Sequence, residues 1–174
     1  MGHPTALKED DEHAALDAAS TDERIKKVVA GRHARVLVGG VDAGRREPEG
    51  QRRAVVGYYD YATGTSVAAV VDLESQKVID VEESPVQLQL STEEAREAER
   101  IASEHPAVGA FLGGRKLNPL TRLYFPAWAE RRAPPHRYAV VFARPSNHER
   151  LYAIVDLTDA TVAEDLTPSD IKAQ

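Results

Sequence analysis

The sequence contains no cysteine, one methionine, one tryptophan and three phenylalanines among its 174 residues. Without cysteine there is no disulfide framework, thiol nucleophile, zinc–thiolate site or iron–sulfur cluster. No apolar run approaches the ~20 residues that span a bilayer. The opening residues, with the acidic run Glu9-Asp10-Asp11-Glu12, are unlike a signal peptide. Recognised catalytic patterns are missing too. Gly39-Gly40 and Gly113-Gly114 lead into neither a dinucleotide fingerprint nor a phosphate loop, and no Gly-x-Ser-x-Gly or His-Glu-x-x-His occurs. The expectation is a soluble, cytoplasmic chain that needs no cofactor.

What is present suits a globular protein: 42% hydrophobic and 29% charged residues, with a net charge of −6. The length fits one ordinary domain or two small ones. Abundant alanine and arginine with little lysine point to a GC-rich bacterial source. The acidic total argues against broad nucleic-acid affinity, and no membrane partner is expected, but the charge is uneven. From Ala110 to Arg150 eight Lys/Arg face two Asp/Glu, a local +6 against −12 elsewhere.

The two halves of the sequence resemble each other. Ser20-Thr21-Asp22-Glu23 and Ser91-Thr92-Glu93-Glu94 both carry the Ser-to-Glu spacing of a helix capping box. Ile25, Val28 and Val29 follow at helical spacing in the first, and Ala95, Ala98, Ile101 and Ala102 in the second. The stripes differ in phase by about two residues. The first helix could begin earlier, near Asp11, because Ala15, Leu16 and Ala19 extend it. Strand-like segments then follow: 34–38, 53–59, 66–73 and 78–81 in the first half, and 138–142, 151–157 and 161–163 in the second. Val71-Asp72-Leu73 precedes Val155-Asp156-Leu157 by 84 residues, and Ala54-Val55-Val56 precedes Ala139-Val140-Val141 by 85. This order predicts an α+β chain of two tandem units, each a helix packed on about four antiparallel strands. The expected division has an extension over 1–19 (helical or disordered), a first repeat over 20–85, a second over 86–166, and a tail over 167–174. Residues 113–135, with Pro119, Pro126, Pro134 and Pro135, read as a loop insertion in the second repeat.

The stretch Ala68-Ala69-Val70-Val71-Asp72-Leu73, Lys77-Val78, Val81-Glu82 and Pro85, leading into Ser91-Thr92-Glu93-Glu94, resembles the small N-terminal domains of copper amine oxidases. Ala143-Arg144-Pro145, Ile154-Val155-Asp156-Leu157 and Val162 add to the likeness. It implies the second and third domains of that family, each cystatin-like, a helix on a four-stranded sheet. It does not bring the catalytic parts. That family makes a quinone from Tyr in Asn-Tyr-Asp/Glu-Tyr and binds copper through His-x-His and a distant His. Tyr58-Tyr59-Asp60-Tyr61 has Tyr in place of the Asn, and the six histidines contain no His-x-His pair. No amine-oxidase chemistry is expected.

Several residues remain as candidates. Asp72 and Asp156 are repeated carboxylates, suited to acid–base work or, more simply, to holding the turns that follow them. The tyrosine run suits a flat ligand or ordinary core and cross-strand packing. In the cationic window Arg residues interleave with aromatics, the composition of interface hot spots and of nucleic-acid grooves, and equally of a solvated rim pinned by aromatic anchors. Its partner- or ligand-binding candidates are Tyr124, Trp128, Arg131, Arg132, His136, Arg137 and Arg144. The acidic helix from Ser91 to Glu104 reads as a solvated face with internal ion pairs. The leading expectation is a non-enzymatic binding or assembly module with a protein or peptide partner, open to homodimerisation through sheet edges. The rival is a small enzyme or small-molecule-binding protein using a concave sheet face, with Tyr59, Asp60, His136 and Arg137 as its residues.

Overall fold

A computed structural model describes residues 4–5, 7–41, 52–114, 119–126, 135–143 and 151–163. The chain forms two compact units, Met1–Leu88 and Gln89–Gln174. Among the described residues no helix is long and apolar enough to cross a membrane.

The first unit runs β1 (Pro4–Thr5), α1 (Glu9–Thr21), α2 (Glu23–Ala30), β2 (His33–Val41), β3 (Arg53–Asp60), β4 (Thr65–Asp72) and β5 (Lys77–Ser84). Its strands form one antiparallel sheet in the order β1-β2-β3-β4-β5. Alternation along β3 and β4 sends Ala54, Val56, Tyr58, Val67, Ala69 and Val71 to one face. That face packs on Ala15, Ala18 and Ala19 of α1 and on Ile25 and Val28 of α2. Alanines on α1 let the helix approach the sheet closely, against the branched residues of β3 and β4. Asp60 shapes the β3–β4 turn by accepting from Ala62 N and Thr63 Oγ1, both at 2.9 Å, and Gly64 supplies the positive φ of 70°.

The second unit runs α3 (Thr92–Glu104), α4 (Pro106–Leu112), β6 (Pro119–Tyr124), β7 (Tyr138–Ala143), β8 (Leu151–Asp156) and β9 (Thr161–Val162). Its antiparallel sheet has the order β6-β7-β8-β9. Ser91 and Glu94 form the full capping box, with Ser91 Oγ accepting from Glu94 N and Glu94 accepting from Ser91 N.

The α+β class and tandem units are as the sequence predicts, and the repeat extends through the helices. Ala15, Ala18 and Ala19 are buried, and so are Ala98, Ile101 and Ala102, each 83 residues later. Asp22 and His105 end α1 and α3 with nearly equal backbone angles, ψ 131° and 129°, and donate to Ala19 O and Ala102 O. Gln76 and Ala160, the two described non-glycine residues at positive φ (52° and 55°), stand 84 residues apart and close matching hairpins.

This register corrects three expectations. Ser20 does not cap a helix; it lies inside α1 and donates to Asp17 O, while Asp22 caps α2 through Arg24 N. The Ser20-to-Ser91 spacing of 71 therefore paired α2 with α3, which accounts for the phase mismatch. Residues 1–19 are no mere extension, since α1 supplies three core alanines and β1 joins the sheet. Within 113–135, Pro119–Tyr124 is strand β6, the first strand of the second sheet. Pro119 obscured it, but proline is tolerated at the start of an edge strand, where no ladder donor is lost. Val86, Leu88 and Leu90, which alternate, form no strand.

Candidate functional site

Three of the seven candidate binding residues are described: Tyr124, His136 and Arg137. Trp128, Arg131, Arg132 and Arg144 lie outside the described residues.

Arg137, just before β7, is fully buried. Its Nε donates to Glu94 Oε1 at 2.6 Å, and its Nη2 to Glu94 Oε2 and Gln89 O, both at 3.0 Å. Glu94 thus joins a two-point ion pair to its capping-box role, holding the start of α3 to the entry of β7. Its counterpart in the first unit is the pair Arg52–Asp11, 85 and 83 residues earlier. The Arg52 and Arg137 carbonyls accept from Leu73 N at 2.9 Å and Leu157 N at 2.8 Å. The repeat therefore assigns this arginine to the scaffold: exposed in the first unit, buried in the second. Sequence reasoning missed the acidic partners, although the Asp11/Glu94 and Arg52/Arg137 spacings were there to find.

Asp72 and Asp156 are also counterparts. Asp72 Oδ1 accepts from Glu74 N and Ser75 N at 2.8 and 3.0 Å, and Asp156 Oδ1 from Thr158 N and Asp159 N at 2.9 and 3.2 Å. The backbone N–H groups of Ser75 and Glu74 hold the Asp72 carboxyl below the usual carboxylate range. Both aspartates secure their hairpins. Asp156 does more, because its Oδ2 meets His136 Nδ1 at 2.7 Å. Asp159 Oδ2 lies 3.7 Å from the same nitrogen. The Asp156 side chain is essentially buried, His136 is 13% exposed and Asp159 49% exposed. His136 stacks on Tyr138, with ring centroids 6.1 Å apart.

Strand pairing puts this cluster at one end of the sheet face turned away from α3. Thr121 bonds Glu99 of α3, so Thr121 marks the helix side and its neighbours Leu120, Arg122 and Tyr124 fall on the other by alternation. Register aligns Tyr124, Tyr138 and Asp156 as one row on that outer face, and Leu120, Phe142 and Tyr152 as another. Tyr124 packs on Tyr138, Ile154 and Ala163. Phe125 and Tyr152 are exposed large apolar residues, at 57% and 41%.

The tyrosine run belongs to the first unit's sheet. Tyr58 faces the core, where burial pushes its hydroxyl pKa upward; Tyr59 is buried and meets Tyr61 edge-on at 5.0 Å. Asp60 holds the hairpin. This is packing and turn chemistry.

No family model matches the sequence, and no curated protein matches it. Among solved structures it is similar to a copper-containing benzylamine oxidase from Hansenula polymorpha, with a TM-score of 0.53 and 15% sequence identity. The match covers 92% of this chain and 29% of that one. At that identity the likeness is one of fold, and this chain spans under a third of the oxidase's length.

Proposed function

We propose that this chain is a non-enzymatic binding or assembly module, built from two cystatin-like units of the kind found as the second and third domains of copper amine oxidases. Its second unit engages a protein or an extended peptide. The observation that carries this reading is β6, which among the described strands pairs on one side only, with β7. Such an edge offers a row of backbone donors and acceptors to an added strand. Phe125, at the end of β6, and Tyr152, on the outer face, supply exposed apolar area for side-chain pockets. Tyr124, Trp128, Arg131, Arg132, His136 and Arg144 form the partner-binding residues in this reading, with Arg137 acting indirectly by fixing β7. A second copy of the chain is the simplest edge partner and would give a homodimer.

The test is selection of binding peptides from a random displayed library on the immobilised full chain, with sedimentation of the chain alone. Two variants are compared: Arg122→Glu/Phe125→Ser/Tyr152→Ser, and Trp128→Ala/Arg131→Ala/Arg132→Ala. Loss of at least tenfold in affinity, or of dimer, in either variant supports the reading. Undiminished binding in both, or neither peptide binding nor self-association in the parent, overturns it.

A further inference from the structure

We propose that His136, Asp156 and Asp159 form a divalent-cation site in the second unit, suited to Zn2+. Among the described residues they are the one group of three metal-ligating side chains that converges, with ligand atoms all within 4.8 Å of one another. Two ligands ~2.1 Å from a tetrahedral ion lie about 3.4 Å apart. The distances from His136 Nδ1, 2.7 Å to Asp156 Oδ2 and 3.7 Å to Asp159 Oδ2, bracket that value. Binding needs His136 and Asp156 to part by about 0.7 Å, their direct hydrogen bond giving way to the ion, while the half-exposed Asp159 closes by about 0.3 Å. One imidazole nitrogen with two carboxylates suits Zn2+ better than Ca2+ or Mg2+, which take six or more oxygen-rich ligands. Three protein ligands leave a fourth position for water or a partner's side chain.

The internal repeat supplies an independent argument. Asp72 secures the first hairpin by the same two backbone bonds as Asp156, with a further hydrogen bond from the Ser75 side chain. The positions matching Asp159 and His136 in the first repeat are Ser75 and Gln51. The fold thus closes this hairpin without a histidine or a second carboxylate. Their presence in one copy only is a departure from the repeated scaffold. The Asp156 backbone bonds use Oδ1 and leave Oδ2 directed at His136. Stacking on Tyr138 fixes the ring plane. Outer-shell groups of this kind orient a metal ligand.

The test is calorimetric titration of the full chain with Zn2+ alone, followed by visible absorption of the Co2+-loaded chain. One equivalent of saturable binding is expected, with a Co2+ spectrum typical of four- or five-coordination. His136→Gln and Asp159→Asn should each weaken binding by roughly tenfold or more. His13→Gln, on α1 of the other unit, should leave it unchanged. Asp159 is exposed, so its variant keeps the fold even if His136→Gln does not. Absence of saturable Zn2+ binding, or equal binding in Asp159→Asn and the parent, overturns the proposal and leaves an internal ion pair only. Peptide selection in the absence of added metal reads the binding function separately.

Discussion

Glu94 is shared between two elements: its carboxylate closes the α3 capping box at Ser91 N (2.8 Å) and grips Arg137 Nε at 2.6 Å. Both side chains are almost wholly buried, at 6% and 0% exposure. A carboxylate in that position is compensated twice, by the cap and by the guanidinium, so removing either partner strands a buried charge. The equivalent pair in the first unit, Asp11 and Arg52, is 17% and 56% exposed, and water takes over much of that role.

The first prediction follows from this contrast. Arg137→Ala should destabilise the second unit by about 3–5 kcal/mol, and Arg52→Ala the first by less than ~1 kcal/mol. Far-UV circular dichroism during urea unfolding follows the helices and strands of both units and measures each variant against the parent. Equal shifts for the two variants would show that burial does not set the difference.

A pH prediction follows at Asp22. The Arg24 side chain, then the Arg24 backbone N–H, hold its carboxyl down to about 2. A folded-state pKa below the unfolded value of ~3.9 stabilises the fold above the unfolded pKa, and that contribution fades as pH falls toward 2. Asp22→Ala should therefore cost about 1 kcal/mol at pH 7, the usual worth of an N-cap, and the gap from the parent should narrow between pH 4 and 2. Circular dichroism melts across that range measure it. A gap that stays constant to pH 2 would show that the charge is immaterial.

Overpacking tests the repeat. Ala19 and Ala102 occupy matching helix positions with 0% and 1% exposure. Replacing either with leucine should destabilise its own unit by about 1–3 kcal/mol, because the helix must lift from the sheet. Denaturant midpoints for Ala19→Leu and Ala102→Leu should fall together. Tolerance at one site and not the other would break the equivalence of α1 and α3.

Much of this architecture is legible in the sequence. The Ser91 cap and the alternation of 53–59 and 138–142 rest on local backbone chemistry, and so do the hairpins after Asp72 and Asp156, so short stretches specify them. The first helix is less legible. The alanine-rich α1 has a weak apolar stripe and no side-chain cap, whereas Ser20 mimics a cap inside it. Strand β6 hid behind Pro119, since six residues on a sheet edge carry little pattern of their own.

The sequence by itself determined two α+β repeats, their turns and the lack of a recognisable catalytic motif, because periodicity and turn preference act over a few residues. Only the tertiary structure decided that Arg137 belongs to the scaffold and that His136 joins Asp156 and Asp159. Those partners lie 43, 20 and 23 residues apart along the chain. Their meeting depends on strand register and on which charge the fold buries, and neither is encoded in any short window.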